Sequence, residues 1–262
     1  MKLGLLSASI ALCTLIACSS VTPKYTYTEP QPSMRLTLLP HNMLAVGKSV
    51  LVEAKLTSLR TLDVVPSDSL DTVETQKIHL YAIDATLTDY QHITPQATNT
   101  AGLYQFNFTP KLPGSYRVWA DLTPAATHRQ EFDIADLGGH PRSNVHNMES
   151  LQANIGEYRF TLAFDKKLVE GQDAFGTIHV SDAKGDVKTL QTAFAHVVGF
   201  YGDLHTVLHT HTMSAEAKNG SDVSFPLKPV KSGFIKLFAQ YKINGRDYIV
   251  PFGVMVAVQP TK

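Results

Sequence analysis

The sequence is poor in cysteine. It has two in 262 residues, Cys13 and Cys18, both close to the N-terminus. No disulfide can staple the chain beyond residue 18, so any exported domain there relies on its apolar core. The chain also lacks a charge bias, with 23 basic and 23 acidic residues. Nothing in that balance suggests nucleic-acid binding, which needs a basic stripe, and no nucleic-acid partner is expected. Beyond residue 18 no stretch keeps a helical period for more than a couple of turns. There is no Gly-x-Ser-x-Gly, no phosphate-binding glycine loop, no His-Glu-x-x-His and no free thiol. The carboxylates Asp84, Asp89, Asp121 and Asp203 fall at turns or strand ends, where such groups commonly hold turns together. For Asp121, beside Trp119, a strand-end hydrogen bond is expected. The expectation is a protein that is not an enzyme.

What is present begins with a sorting signal. Met1-Lys2 supplies a short positive start, and Leu3 to Ile16 is apolar. The run is too short for a bilayer-spanning helix, which needs about 20 residues. Leu15-Ile16-Ala17-Cys18 matches the bacterial lipobox, with a small residue before the cysteine. Residues 1–17 therefore read as a signal peptide. The match implies cleavage before Cys18, a diacylglyceryl thioether on its sulfur and an acylated amine. Several acyl chains anchor far more firmly than one, at about 0.8 kcal/mol per buried CH₂. By resemblance to Gram-negative lipoproteins, Ser19 in place of Asp implies the outer membrane. The protein is expected there facing the periplasm, or at the cell surface, with the membrane as its partner through the lipid. Residues 18–33, rich in Thr, Pro and Tyr, read as an extended tether.

The remainder reads as strands. In residues 34–137 they are expected at Arg35–Leu39, Ser49–Thr57, Lys77–Asp84, Asp89–Thr94, Gly102–Phe108, Ser115–Leu122 and Gln130–Ala135. In residues 151–262 they are expected at Tyr158–Phe164, Phe175–Ser181, Phe194–Tyr201, Leu204–His211, Ser221–Pro226, Phe234–Tyr241 and Asp247–Val258. Thr61 to Gln76 reads as a long loop, and Gly138 to Ser150, with two glycines and a proline, as a linker. His140 and His146 of the linker are expected to be solvated. Many short strands punctuated by turn residues indicate an all-β protein of two tandem Ig-like antiparallel β-sandwich domains. The halves look duplicated. His79 and His92 are thirteen positions apart, as are His196 and His209. Each pair is followed by a glycine and an aromatic-rich strand, Gly114 before Trp119 and Gly233 before Phe238.

Phe194 to Met213 reads as one hairpin. Gly202-Asp203 is a two-residue turn signal, which would pair Tyr201 with Leu204 and His196 with His209. Side chains alternate between faces, so His196, His209, His211 and Met213 would share one. Imidazole suits zinc and copper, and a thioether favours copper(I). His196, His209, His211 and Met213 are thus candidate ligands for copper or zinc. His79 and His92 are a weaker candidate pair, because Thr94 stands where His211 stands in the second half. The competing reading is a hydrogen-bonded histidine pair among Val198, Val207 and Phe200, with no metal.

His79 to Pro95, a following G-x-Y-x-F strand and the run Pro113–Asp121 together resemble bacterial exported β-sandwich domains. The layout is similar to YtkA-like domains and to periplasmic copper-resistance sandwiches. The second half keeps His196, Asp203-Leu204, His209 and His211 but has Thr212 where that pattern has Pro. The first half keeps Pro95 but has Thr94 for the second His. The resemblance implies copper or heavy-metal handling. The alternative is a structural or protein-interaction module of the bacterial envelope, with a protein partner the sequence does not name.

Overall fold

The structure is a computed structural model. It describes residues 32–73, 75–182, 192–211, 222–243 and 245–260, with the backbone alone at 192–195 and 211. The expected signal peptide and Cys18 lie outside the described residues, as do Met213 and most of the tether.

The first half contains β1 (Met34–Pro40), β2 (Val50–Ser58), β3 (Ile78–Asp84), β4 (Tyr90–Ile93), β5 (Gln96–Ala97), β6 (Leu103–Phe108), β7 (Tyr116–Leu122) and β8 (Glu131–Leu137). They form two antiparallel sheets, β1-β2-β6-β5 and β4-β3-β7-β8. The second half contains β9 (Gln152–Ile155), β10 (Tyr158–Phe164), β11 (Ala174–Asp182), β12 (Thr192–Tyr201), β13 (Val207–His211), β14 (Asp222–Leu227), β15 (Gly233–Ile243) and β16 (Arg246–Val256). Their sheets are β14-β11-β10-β9 and β13-β12-β15-β16. The chain is all-β, with tandem Ig-like antiparallel sandwiches. The Thr61–Gln76 loop carries one 3₁₀ turn, Ser67–Ser69. Sequence patterning passed over β5 and β9, which are too short and too exposed to alternate visibly.

Each sandwich is filled by alternate residues of its strands. Leu36, Val52, Leu56, Leu80, Phe108 and Val118 belong to the first core. Phe160, Ile178, Phe225, Leu237 and Phe252 belong to the second. Gly199 of β12 sits against the second core. A Cβ there would lie 2.7 Å from Leu237 Cδ2, so the strand lies close over its neighbours.

A third core lies between the sandwiches. β3 is buried on both faces. Ile78, Leu80 and Ala82 point into the first core, while Tyr81 and Ile83 point the other way. There they meet Trp119 of β7, Val198 and Phe200 of β12, and Phe234 and Phe238 of β15. Trp119 and Phe200 rings are 4.9 Å apart, and Tyr90 stacks on Phe238 at 4.6 Å. A strand apolar on both faces is what a sheet covered on both sides requires. The inner sheets of the two sandwiches therefore pack face to face.

The segment joining the halves is tied down. Asn144 N–H donates to Ala85 O at 2.9 Å, and Ser143 Oγ donates to Gly202 O at 2.5 Å. Ser150 and Gly253 exchange two backbone hydrogen bonds, of 2.8 and 2.9 Å. The linker thus touches the turn of each central hairpin and then edge strand β16.

The hairpin register differs from the expected one. Tyr201 N–H donates to Thr206 O at 3.0 Å, and β12 pairs His196 with His211 and Val198 with His209. The cause is the Asp203 side chain. Its Oδ1 accepts from His205 N–H (2.9 Å) and Thr206 N–H (3.0 Å), and its Oδ2 from Thr206 Oγ1 (2.9 Å) and Lys231 Nζ. That capture widens the turn and places Leu204, not Gly202, at positive φ (55°). The slip is two residues, so every side chain keeps its face. The first hairpin has the same form, with Leu87 at φ 56°. There Asp84 accepts from Thr86, Thr88 and Asp89 backbone N–H groups. Tyr81 pairs with His92 as Val198 pairs with His209. Two different aspartates close equivalent turns.

Candidate functional site

The two histidine pairs come from equivalent places in the two halves, and the face-to-face packing brings them together. His79 stands on β3, His92 on β4, His196 on β12 and His209 on β13. Ring centroids of His79 and His92 are 5.2 Å apart, those of His92 and His196 5.0 Å, and those of His196 and His209 5.0 Å. Tyr81 lies beside three of them, 5.1 Å from His92, 5.9 Å from His196 and 5.6 Å from His209. The result is a run of four imidazoles across the joint. Pattern reading placed them in two separate domains, because face parity says nothing about which faces meet.

Hydrogen bonds fix the ends of the run. His209 Nδ1 lies 2.9 Å from Asp121 Oδ2, with the side chains 4% and 7% exposed. The Gln130 side-chain nitrogen lies 2.9 Å from the same His209 Nδ1, so imidazole, carboxylate and amide meet at one point. Asp121 also accepts from Tyr81 OH at 3.2 Å, and from the Gln130 amide nitrogen at 2.9 Å to each oxygen. The expected strand-end hydrogen bond of Asp121 is therefore a junction of three side chains from both halves. At the other end His79 Nε2 lies 3.1 Å from Val73 O, and His79 Nδ1 lies 3.0 Å from His92 Nε2. A carbonyl only accepts, so His79 donates to Val73. His92 Nδ1 reaches the Gln240 side-chain oxygen of β15 at 3.1 Å, and the Gln240 nitrogen donates to Tyr90 OH at 2.8 Å.

Of the candidate metal ligands, His196 is buried inside the joint. His211 pairs with His196 through the backbone of β13. Met213 lies outside the described residues. His196 and His209 are not directly opposed, contrary to the expected register; they sit one diagonal step apart. Among the described residues no three His, Cys, Asp or Glu side chains are grouped as ligands of one ion. His79 and His92 instead bond each other, and His209 bonds Asp121. Sequence reasoning missed Gln130 and Gln240. Gln240 alternates on one face of β15 with Phe234, Lys236, Phe238 and Lys242, so nothing in the strand pattern sets it apart.

A family model, described as a domain of unknown function (DUF8832), matches residues 33–135 and 153–258. The chain belongs to the DUF8832 family. The first DUF8832 segment carries His79, His92, Asp121 and Gln130; the second carries His196, His209 and Gln240. The histidine run is therefore made where two segments of one family meet. No protein of curated function matches. Among solved structures the chain is similar to FdeC, an Escherichia coli adhesin, at 14% identity and a TM-score of 0.28, covering 86% of this chain and 65% of that one. It is similar to trypsin-activated alpha-2-macroglobulin from Escherichia coli at 13% identity and a TM-score of 0.26, covering 86% of this chain and 16% of that one. It is also similar to domains 4 and 5 of the S-layer protein SbsC, at 10% identity and a TM-score of 0.22, with 86% and 98% covered. At such TM-scores these likenesses carry no argument. The expected likeness to YtkA-like and copper-resistance domains is not among these findings.

Proposed function

We propose that the chain is a non-enzymatic lipoprotein of the bacterial envelope, anchored through Cys18, whose two sandwiches act as one rigid structural or interaction module. The observation that carries this reading is the third core. Trp119, Phe200 and Tyr81 are fully buried between the two inner sheets. Such a joint resists the hinge motion that separate tandem domains show by default. A rigid body on a lipid tether holds a binding surface at a set place relative to the membrane. The lipobox and Ser19 support an outer-membrane location, facing the periplasm or the cell surface. Two measurements test the reading. Palmitate labelling is expected in the wild type and lost in Cys18→Ser. Calorimetry of residues 32–262 is expected to give one cooperative transition; two transitions would show that the sandwiches unfold separately and are not a rigid unit.

A second reading is transition-metal binding, to copper or zinc. The observation favouring it is the run of four imidazoles. Neutral imidazoles suit both ions. Ligation by His196, His209, His211 and Met213 requires the His209 ring to leave Asp121, and ligation by His79 and His92 requires their mutual bond to break. Titration of residues 32–262 with copper(I), copper(II) and zinc tests it. Equal uptake by wild type, His209→Ala, His211→Ala and His92→Ala would remove the site.

A further inference from the structure

The turn after β2 exposes apolar side chains where a soluble surface ordinarily places polar ones. Leu59, Leu62 and Val64 are 37%, 79% and 42% exposed. Leu62 also holds φ at 64°, a conformation that favours glycine or asparagine. The turn is nevertheless well fixed. Leu62 N–H donates to Ser58 O at 2.9 Å, Ser58 N–H to Asp63 O at 2.8 Å, and Val65 N–H to Leu56 O at 3.0 Å. Ser58 Oγ accepts from the N–H groups of Arg60 and Thr61, each at 3.3 Å. Its apolar side chains are held outward by backbone bonding, not by a missing core.

The place of this turn matters. Leu59 N–H donates to Ser33 O at 2.8 Å, and Ser33 is fastened to Glu131 through its N–H and its hydroxyl, at 2.8 and 2.7 Å. The chain coming from Cys18 therefore enters the folded body beside Leu59. β1 then runs away from that point, Met34 pairing with Ser58 and Pro40 with Val52. At about 3.3 Å per residue that carries the chain roughly 20 Å off. The far end of β1 has exposed apolar side chains of its own, Leu39 at 52%, Met43 at 94% and Val46 at 50%, but the tether enters at the other end, beside Leu59. Fully extended, the tether from Cys18 to Ser33 spans at most about 50 Å. It does not by itself decide which end of the body meets the bilayer.

We propose that the Leu59–Val64 turn is a second membrane contact, inserting Leu62 with Leu59 and Val64 into the interface of the bilayer that holds the lipid anchor. This rests on the anchor reading above. An anchor of several acyl chains combined with a small apolar tip fixes orientation where the anchor alone would leave the body free to swing. Arg60, at the same turn, is placed to meet headgroup phosphates.

The test uses the mature lipidated chain in vesicles of phosphatidylethanolamine and phosphatidylglycerol. A nitrobenzoxadiazole label is attached at Leu62→Cys or, for comparison, at Met43→Cys. Cys18 is blocked by its thioether, so each variant has one reactive thiol. The expected result is a blue-shifted emission at position 62, quenched by lipids spin-labelled near the headgroup, with position 43 remaining as in water. An unshifted label at 62, a shift at both positions, or a shift at 62 without lipid would each overturn the proposal. Palmitate incorporation is read separately, so failure of the anchor is distinguished from failure of the turn. Should Cys18 carry no lipid, residues 32–262 are sedimented with the same vesicles. Leu62→Asp is then expected to lower the bound fraction about tenfold, as loss of one buried Leu implies. No vesicle binding by the wild type would overturn the turn's role there.

Discussion

His209 of the second sandwich and Asp121 of the first face each other across the joint, Nδ1 to Oδ2 at 2.9 Å. The pair is nearly dry, and Asp121 is further held by Tyr81 and Gln130. Removing one partner of a buried charged hydrogen bond leaves the other desolvated and undercompensated. His209→Ala is expected to destabilise the chain by about 3 kcal/mol in urea unfolding. His209→Ala combined with Asp121→Asn is expected to cost less than the sum of the two single changes. Strict additivity would mean that the two residues do not interact.

Trp119 is the one tryptophan of the chain and is fully buried in the joint. Its fluorescence therefore reports whether the sandwiches are together. Residues 32–137 alone, or Phe238→Asp in the full chain, are expected to shift its emission to the red, because both expose the indole to water. Phe200→Ala removes the ring 4.9 Å from the indole and is expected to cost about 3–5 kcal/mol. Unshifted emission from the isolated first sandwich would show that the joint does not bury Trp119.

Asp203 governs acid stability at its turn. Burial alone would raise its pKa, but Lys231 and the donors at Thr206 and His205 outweigh it and hold the carboxyl at about 2. The folded value lies below the ordinary 3.8, so the carboxylate's contribution is present above about pH 4 and is lost as pH falls toward 2. The group is partly open to solvent, so screening leaves about 1 kcal/mol. Asp203→Asn is expected to lose that amount at pH 7 and to flatten the stability profile between pH 4 and 2. A steep profile unchanged by the substitution would assign the acid sensitivity elsewhere.

Gly253 lets the linker lie on β16. A Cβ there would stand 2.4 Å from Met148 O, a backbone atom that cannot move aside cheaply. Gly253→Ala is expected to break the Ser150 hydrogen bonds and lower stability by about 1–3 kcal/mol. Amide exchange at Ser150 and Gly253 should rise together. Protection that survives the substitution would show that the strap tolerates the extra methyl.

Strands and turns were legible because their causes are local. Period-two alternation and turn-forming residues act over a few positions, and nearly every long strand lies where the pattern places it. Face parity was equally local, so His196 and His209 share a face even though the pairing is two residues from the expected one. The register itself was not legible, because the Asp203 carboxylate captures two backbone amides and a hydroxyl, and a dipeptide rule sees only the backbone. The joint was invisible for a stronger reason. Ile78–Asp84 shows a strand apolar on both sides, but nothing in the order of residues says what covers the second face. Only the packing of β3 and β7 against β12 and β15 decides that Tyr81 and Trp119 meet Phe200 and Phe238. The same contact brings His92 next to His196 and gives His209 a carboxylate from 88 residues earlier in the chain. Burial of apolar surface depends on area in three dimensions and not on sequence distance, so the sequence determined the two sandwiches and the tertiary structure decided that they share a core.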